Sequence, residues 1–299
     1  MPDDATARAA AEEESAFSHP ALPPDATAAY GSHPDQIVDL YAPHGTESGP
    51  AASSPLVVVV HGGAWRAPYD RWHISPFAGY LARRGFAVAS VEYRRGSALP
   101  APRGADPAPR DPVAGRWPDT FDDLAAAMDA LPGLVRAALP VADPRRTVLT
   151  GHSAGGHLAL WAAARHVLPP DSPWYRARPL PLRGVVALAP IADLRTAGRL
   201  GVCGGAAQQL LGGPDAFERR LPYADPAALL PTGIATTLVQ GRTDVVVPPA
   251  VSEAYADAAA RAGEVVGLTL LDRVGHFPLI DPAADACAVV AEEIAQLAW

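Results

Sequence analysis

Short apolar runs alternate along the chain with longer segments that have helical spacing. The run LVVVV at residues 56–60 is continuous and β-branched, which is typical of a strand buried on both faces of a parallel sheet. Further strands are predicted at 36–43, 86–93, 147–152, 185–190, 235–241 and 265–271. Helices are predicted between them, at 75–84, 121–139, 154–166, 252–263 and 284–298. Strands that alternate with helices imply right-handed crossovers, so we expect an α/β fold with a mostly parallel central sheet flanked by helices.

Three segments depart from this alternation. Residues 1–28 are rich in Ala, Glu, Asp and Pro and have little to bury, so we expect a mobile N-terminal arm. Residues 94–119 are dense in Pro, Arg and Gly, and residues 192–232 are longer than a simple crossover needs. Both are expected to form small lid or pocket-wall insertions. The remaining organisation predicts one domain over residues 29–299.

Within the helical segment 121–139, two residues carry specific local expectations. Thr120 is a plausible N-cap for this helix, because its hydroxyl can accept a hydrogen bond from an early backbone N–H. Pro132 must bend or break the helix, because a proline ring removes one backbone hydrogen bond and crowds the preceding turn.

The amino-acid composition limits the kinds of molecule that the protein is expected to bind. The chain has 299 residues, of which 49% are apolar, and its net charge is −8. This length can bury a large core, and the acidic balance argues against nucleic acid, which needs clustered basic residues. No apolar run approaches the ~20 residues of a membrane span, and the N-terminus lacks the pattern of a signal peptide. We therefore expect a cytoplasmic protein that acts on a small molecule, with a homodimer as one alternative for its oligomeric state.

The residue types that are missing exclude several chemistries. The sequence contains no Lys, so all 24 basic residues are Arg. This excludes a Schiff-base lysine, a P-loop lysine and a Ser-Lys dyad. The two cysteines, Cys203 and Cys287, form no CxxC pair and lie near no His-rich pattern. We predict neither a metal site nor an organic cofactor.

The strongest local motif is Gly151-His152-Ser153-Ala154-Gly155, a G-x-S-x-G sequence between a predicted strand and a predicted helix. A serine in such a sharp turn stands above the sheet edge as an exposed nucleophile, and the glycines give the turn the room it needs. We therefore predict that Ser153 is a nucleophile. The side chain of His152, which precedes it on the strand, is expected to point away from the site.

A second motif, His61-Gly62-Gly63-Ala64-Trp65, directly follows the apolar run at 56–60. Small residues at the carboxyl end of a strand let backbone N–H groups face the ligand crevice. Such amides are what an oxyanion hole requires. We predict that the N–H groups of Gly63 and Ala64, together with that of Ala154, form this hole, and that His61 has a structural role.

A serine nucleophile needs a base, and the base needs an orienting acid. After a G-x-S-x-G turn these residues follow in the order acid and then His. Of the nine histidines, His276 alone lies after the late strands, and Asp244 directly follows the strand at 235–241. We predict His276 as the base and Asp244 as the acid, with Asp272 or Asp281 as the alternative acid.

Aromatic and basic residues near these motifs are candidates for substrate contact. An aryl group would pack against aromatic side chains, and a substrate carboxylate would meet Arg66 or Arg71. The predicted aromatic contacts are Trp65, Tyr69, Trp72 and Phe277.

The segments HGGAW, GHSAGGHLAL, GRTDVVVP and GHF together resemble the α/β-hydrolase superfamily. Within it, the chain resembles the branch of esterases and kynurenine formamidases (arylformamidases), over about residues 30–299. The resemblance implies an α/β-hydrolase fold and hydrolysis of a small carboxylic ester or aryl formamide through a Ser-His-Asp triad and an acyl-enzyme. A peptidase of the same fold and a non-catalytic binding module on a hydrolase scaffold remain as alternatives.

Overall fold

Eight strands of the computed structural model form one mixed sheet within the residues that it describes, which are 2–44, 53–96, 113–115 and 117–299. The strands are β1 (Ala26–Ala29), β2 (Ile37–Tyr41), β3 (Ser54–Val60), β4 (Ala87–Val91), β5 (Ala142–His152), β6 (Leu182–Leu188), β7 (Thr236–Gly241) and β8 (Gly267–Leu271). Their order in the sheet is β1-β2-β4-β3-β5-β6-β7-β8. The first two strands run antiparallel to their neighbours, and all pairings from β4 to β8 are parallel. The predicted α/β class is confirmed.

Helices cover both faces of this sheet. They are α1 (Pro2–Ser18), α2 (Ser75–Arg83), α3 (Asp119–Ala138), α4 (Ala154–Ala163), α5 (Leu194–Arg199), α6 (Val202–Leu210), α7 (Pro214–Ala224), α8 (Pro249–Arg261) and α9 (Asp285–Ala298). Two short 3-10 helices occupy Pro226–Leu229 and Phe277–Leu279. No helix among the described residues is long and apolar enough to cross a membrane.

The core is split by the sheet into two apolar layers, as β3 illustrates. Leu56, Val58 and Val60 pack with residues of α3, α4 and α8, whereas Val57 and Val59 pack with residues of α2 and α9. Successive strand residues point to opposite faces. The continuous apolar run at 56–60 is therefore explained by burial on both faces of the sheet.

The N-terminal segment differs from the expected mobile arm. Residues 2–18 form α1, Ala16 of this helix is buried, and β1 pairs with β2. The Ser15 hydroxyl donates to Asp281 Oδ2 at 2.6 Å, and the His19 ring lies 2.7 Å from Asp281 Oδ1. The expectation rested on low apolar content, whereas much of this contact is polar. The segment was therefore misjudged because its partners lie more than 260 residues away in the chain.

Two details of α3 also differ from expectation. The helix begins at Asp119 with Pro118 at the N-cap position, so Thr120 lies inside the helix and is not its N-cap. The Thr120 hydroxyl donates to the Arg94 carbonyl at 2.7 Å. The helix continues across Pro132 to Ala138, so this proline does not end it.

Of the two predicted insertions, only the second is described by the structure over its whole length. The segment 94–119 lies mostly outside the described residues, which stop at 96 and resume at 113. The segment 192–232 contains α5, α6, α7 and the first 3-10 helix, and it contributes Cys203 to the cavity described below.

A buried carboxylate fixes this second insertion and predicts a pH effect on stability. Asp225 Oδ1 accepts hydrogen bonds from the N–H groups of Leu194 and Ala227. Burial raises the pKa of Asp225 to about 7, against the opposing effect of the Leu194 N–H. Because the folded-state pKa lies above the unfolded value, the contribution of Asp225 to stability is fully present at acidic pH and is lost as the pH rises towards 7.

Asp225→Asn is therefore expected to stabilise the protein at pH 8, by up to about 4 kcal/mol, because the amide oxygen still accepts both N–H groups without a buried charge. The gain should shrink as the pH falls from 7 to 4. Thermal unfolding of both proteins across this range measures the difference. An advantage that does not change with pH would contradict the role given to the buried charge.

Candidate active site

Ser153 occupies the sharp turn between β5 and α4. The strand ends at His152 and the helix begins at Ala154, which leaves Ser153 with φ 56° and ψ −117°. A Cβ added to Gly151 would lie 2.2 Å from the Gly155 carbonyl oxygen, and one added to Gly155 would lie 2.1 Å from that of Val60. Both positions require glycine because the backbones approach so closely. The serine is thereby held in a strained conformation at the edge of a cavity.

The loop after β3 faces Ser153 across this cavity. Gly63, Ala64 and Trp65 follow one another with φ values of 100°, 51° and 56°. Among the described residues, the N–H groups of Gly63 and Ala64 have no backbone acceptor. The N–H of Ala154 is the first of α4, and first-turn amides lack an acceptor within their own helix. Consecutive amides in such a turn make a concavity suited to a negative charge.

A buried polar network supports this loop from behind. The His61 ring lies 2.8 Å from Glu92 Oε1 through Nε2, and the Tyr93 hydroxyl donates to the His61 carbonyl at 2.9 Å. Glu92 also accepts the backbone N–H of Arg71 and a guanidinium N–H of Arg95. Burial raises the pKa of Glu92, but His61 and Arg95 outweigh it and hold this pKa at about 2. The ionised Glu92 fixes His61, which agrees with the structural role expected for this histidine.

His276 and Asp244 form a buried pair next to Ser153. The His276 Nδ1 lies 2.7 Å from Asp244 Oδ2, and both side chains are almost fully shielded from solvent. Asp244 Oδ1 accepts the N–H groups of Val246 and Val247, each at 2.8 Å. Asp244 Oδ2 also accepts a hydrogen bond from Gln240 Nε2 at 3.1 Å, so both oxygens of the carboxylate are held while it orients the imidazole. This contact selects the tautomer with the proton on Nδ1 and leaves Nε2 as a base.

The two alternative acids are engaged elsewhere. Asp272 is exposed and pairs with Arg242 at 2.8 Å. Asp281 binds Ser15 and His19 of the N-terminal segment. Of the three candidate carboxylates, Asp244 is the one placed against the imidazole of His276.

The predicted aromatic contacts divide into two pairs. Tyr69 and Phe277 line the cavity that contains Ser153. Trp65 does not, because its left-handed backbone turns the indole into the core, where it meets the ring of His157 at 5.1 Å. Trp72 is 38% exposed and lies outside this cavity. The structure therefore places neither of the two tryptophans in the cavity that contains Ser153.

The two predicted cationic contacts also separate. Arg66 lines the cavity, and its Nη2 donates to the Cys203 carbonyl at 2.7 Å. Arg71 instead donates to Asp39 at 2.6 Å, with its guanidinium stacked on the ring of Trp72. Arg71 is therefore a structural residue rather than a contact in this cavity.

His152 does not point away from the site, as the strand pattern suggested. Its ring lies 4.3 Å from that of His276, and Nε2 lies 3.0 Å from the His276 carbonyl oxygen. Burial, followed by the neighbouring His276, lowers the pKa of His152 well below its usual value. The neutral ring therefore donates to the His276 carbonyl. The expectation failed because strand alternation no longer applies where β5 enters the turn.

Several cavity residues were not found from the sequence. The cavity has a volume of about 210 Å³. The missed side chains, which come from four separate segments, are Phe17, His73, Cys203 and Val246. Burial, reinforced by His61, lowers the pKa of His73 to about 3, so this wall residue stays neutral. No local sequence pattern predicts that these residues line the cavity. Phe17, for example, is a single aromatic residue in a mostly polar helix, and its neighbours there do not indicate which distant residue it contacts.

The described residues contain no group of three His, Cys, Asp or Glu side chains that could hold a metal ion. The sheet, the strained serine turn and the imidazole–carboxylate pair form the arrangement of an α/β-hydrolase fold, which this chain shares with esterases of solved structure.

Comparison with known proteins finds relatives that are named as esterases and hydrolases. The family model BD-FAE matches residues 38–106, which include β3 and the loop with Gly63 and Ala64. The chain is 27% identical over 296 residues to a probable isoprenylcysteine alpha-carbonyl methylesterase of Oryza sativa subsp. japonica, covering 89% of this chain and 60% of that protein. It is 25% identical over 233 residues to a kynurenine formamidase-like hydrolase of Fusarium equiseti, covering 72% and 73%.

Among solved structures, esterase B from Lactobacillus Rhamnosis superposes with a TM-score of 0.72 at 19% identity, covering 99% of this chain and 92% of that one. The predicted resemblance to the α/β-hydrolase superfamily is confirmed. Carboxylesterase-type hydrolases are among the chain's relatives and structural neighbours.

Proposed function

We propose that this chain is a serine hydrolase that cleaves a small carboxylic ester or an aryl formamide through an acyl-enzyme on Ser153. The observation that carries the proposal is that Ser153, in its strained turn, and His276, paired with Asp244, line one cavity. Relatives named as a methylesterase and as a formamidase-like hydrolase support these two kinds of carbonyl substrate.

Acylation begins when the Ser153 Oγ attacks the substrate carbonyl carbon and His276 Nε2 takes the hydroxyl proton. The carbonyl oxygen becomes an oxyanion, which the N–H groups of Gly63, Ala64 and Ala154 stabilise. Because these amides are in place before the reaction, no free energy is spent on reorganising them. Removal of a single such donor lowers kcat by about 10²–10³-fold. Asp244 holds the imidazole in the required tautomer and stabilises the imidazolium.

The tetrahedral intermediate formed by this attack then breaks down. His276 gives its proton to the leaving alcohol or amine, and the carbonyl double bond re-forms as the leaving group departs. Water attacks the acyl-Ser153, with His276 again as the base, and releases the acid and the free serine.

The cavity favours a small substrate over a peptide. Its volume is about 210 Å³, and aromatic rings of Phe17, Tyr69 and Phe277 form part of its wall. Such a wall suits a short acyl chain or an aryl group. A peptidase needs room for an extended chain, and a binding module needs no serine in one cavity with an imidazole–carboxylate pair. Both alternatives are therefore less well supported than a small-molecule hydrolase.

Phe17→Ala is expected to change chain-length preference, because Phe17 closes the cavity against Phe277, with ring centroids 5.4 Å apart. Removing the ring should raise kcat/KM for p-nitrophenyl hexanoate relative to the acetate by about 10-fold, as expected from 1–2 kcal/mol of altered apolar contact. Trp72→Ala, which alters an aromatic outside this cavity, is the matched variant and should leave the preference unchanged.

A substrate panel tests the proposed function. Hydrolysis of N-formyl-L-kynurenine is compared with that of p-nitrophenyl acetate and butyrate, with Ser153→Ala as the control. We expect turnover of at least one class and a loss of about 10⁴-fold or more in Ser153→Ala. A higher kcat/KM for the formamide identifies an arylformamidase, and a higher value for the esters identifies a carboxylesterase. Turnover that persists unchanged in Ser153→Ala would contradict the proposal.

A further inference from the structure

The loop that carries His276 is held from both sides by the N-terminal segment. Before the histidine, the backbone N–H of Gly275 donates to Glu12 Oε1 of α1 at 3.1 Å. After it, Asp281 accepts from the hydroxyl of Ser15 at 2.6 Å. The Phe17 ring packs edge-on against that of Phe277, next to the histidine. The position of the imidazole therefore depends on an element some 260 residues away in the chain.

Gly275 makes room for the carboxylate of Glu12. A Cβ added at Gly275 would lie 1.9 Å from Glu12 Oε2. Any other residue at this position would displace the carboxylate or move the loop. The glycine before His276 is therefore explained by the approach of Glu12, rather than by its own backbone conformation, which is not left-handed.

The second oxygen of Glu12 is shielded from solvent. Glu12 Oε2 is buried and has no hydrogen-bond partner among the described residues. Burial raises the pKa of Glu12, the Gly275 N–H and Arg8 of α1 oppose this, and Asp244 raises it further. A carboxylate oxygen left without a donor costs free energy. This cost falls when a positive charge forms nearby.

Such a charge forms on His276 during catalysis. His276 and Asp244 both act electrostatically on Glu12. His152 faces His276 from the end of β5 and stays neutral, because burial lowers its pKa. A negative group beside an imidazole favours the protonated form. Glu12 therefore supplements Asp244 in stabilising the imidazolium, without contact with the substrate.

We propose, building on the function proposed above, that Glu12 is a positioning residue for His276. Its carboxylate fixes the backbone at Gly275 and adds negative charge beside the His276–Asp244 pair. Helix α1 then contributes to catalysis by holding the loop that carries His276, and Gly275 leaves the space that the Glu12 carboxylate occupies.

The test compares Glu12→Gln, which keeps an oxygen acceptor but removes the charge, with Glu12→Ala, which removes both. Two quantities are measured in the full chain: the second-order rate of serine labelling by a fluorophosphonate, and kcat and KM for p-nitrophenyl acetate from pH 5 to pH 9. We expect Glu12→Ala to lower kcat and the labelling rate by about 10-fold with KM within twofold, because the imidazole is misplaced. Glu12→Gln should lower them by about threefold and move the acidic limb of kcat/KM to lower pH.

Glu14→Gln is the matched control, since Glu14 is an exposed residue of the same helix, and it should behave as the unchanged protein. Circular dichroism and thermal melting establish that each variant keeps its fold. Wild-type labelling rates and pH profiles in both Glu12 variants would overturn this inference while leaving the proposed function intact. A wild-type protein that the fluorophosphonate does not label would overturn both.

Discussion

Asp244→Asn is expected to lower kcat by about 10⁴-fold without unfolding the protein. Asp244 Oδ1 accepts the N–H groups of Val246 and Val247, so the asparagine keeps its oxygen on that side. Its NH₂ group then occupies the place of Oδ2, which lies 2.7 Å from His276 Nδ1. A donor at this place forces the imidazole into the tautomer with its proton on Nε2. The nitrogen that should accept the serine proton is then already protonated.

The measurement is kcat for p-nitrophenyl acetate together with the midpoint of thermal unfolding. Asp272→Asn is the matched control, because Asp272 was the alternative acid but is exposed and pairs with Arg242. It should retain full activity. A loss of activity in Asp272→Asn with full activity in Asp244→Asn would reverse the assignment of the acid.

Gly155→Ala is expected to destabilise the fold by about 3 kcal/mol and to lower kcat by about 100-fold. The new Cβ would lie 2.1 Å from the Val60 carbonyl oxygen and 2.5 Å from that of His61. The first turn of α4 must then move away from β3. That movement separates the Ala154 N–H from the amides of Gly63 and Ala64, and the proposed mechanism needs all three at the same oxyanion.

Gly133→Ala provides the contrast within the same protein. Gly133 lies inside α3, and a Cβ added there meets no atom within 4 Å. Alanine should stabilise this helix by about 0.5–1 kcal/mol without altering kcat. Urea unfolding and ester hydrolysis of both variants measure the difference. Equal stability and activity in the two variants would contradict the close approach of α4 to β3.

The parts of the site that could be predicted from the sequence are those that depend on short-range pattern. Ser153 lies within one motif between a strand and a helix, and the Gly63–Ala64 loop directly follows a strand that the apolar run identifies. Asp244 and His276 were predicted from the residue order that follows a G-x-S-x-G turn, and the structure pairs them where the parallel sheet brings the carboxyl ends of its strands to one edge. In each case the backbone near the residue determines where it lies.

The residues that were missed depend on side-chain direction or on distant partners. Trp65 belongs to the predicted loop, yet its left-handed backbone sends the indole into the core. His152 was misjudged because strand alternation ends where the serine turn begins. Glu12 and Phe17 lie in a segment with few apolar residues, and their contacts with Gly275 and Phe277 exist only after the whole chain has folded.

The central claim is that Ser153 becomes covalently acylated during turnover. The most direct measurement is treatment of the protein with a fluorophosphonate, followed by mass spectrometry of the intact chain and its peptides. We expect one adduct per chain, on the peptide that contains Ser153, with activity lost in proportion to labelling and no adduct in Ser153→Ala. An adduct on another residue, or full activity in a chain labelled at Ser153, would contradict the account.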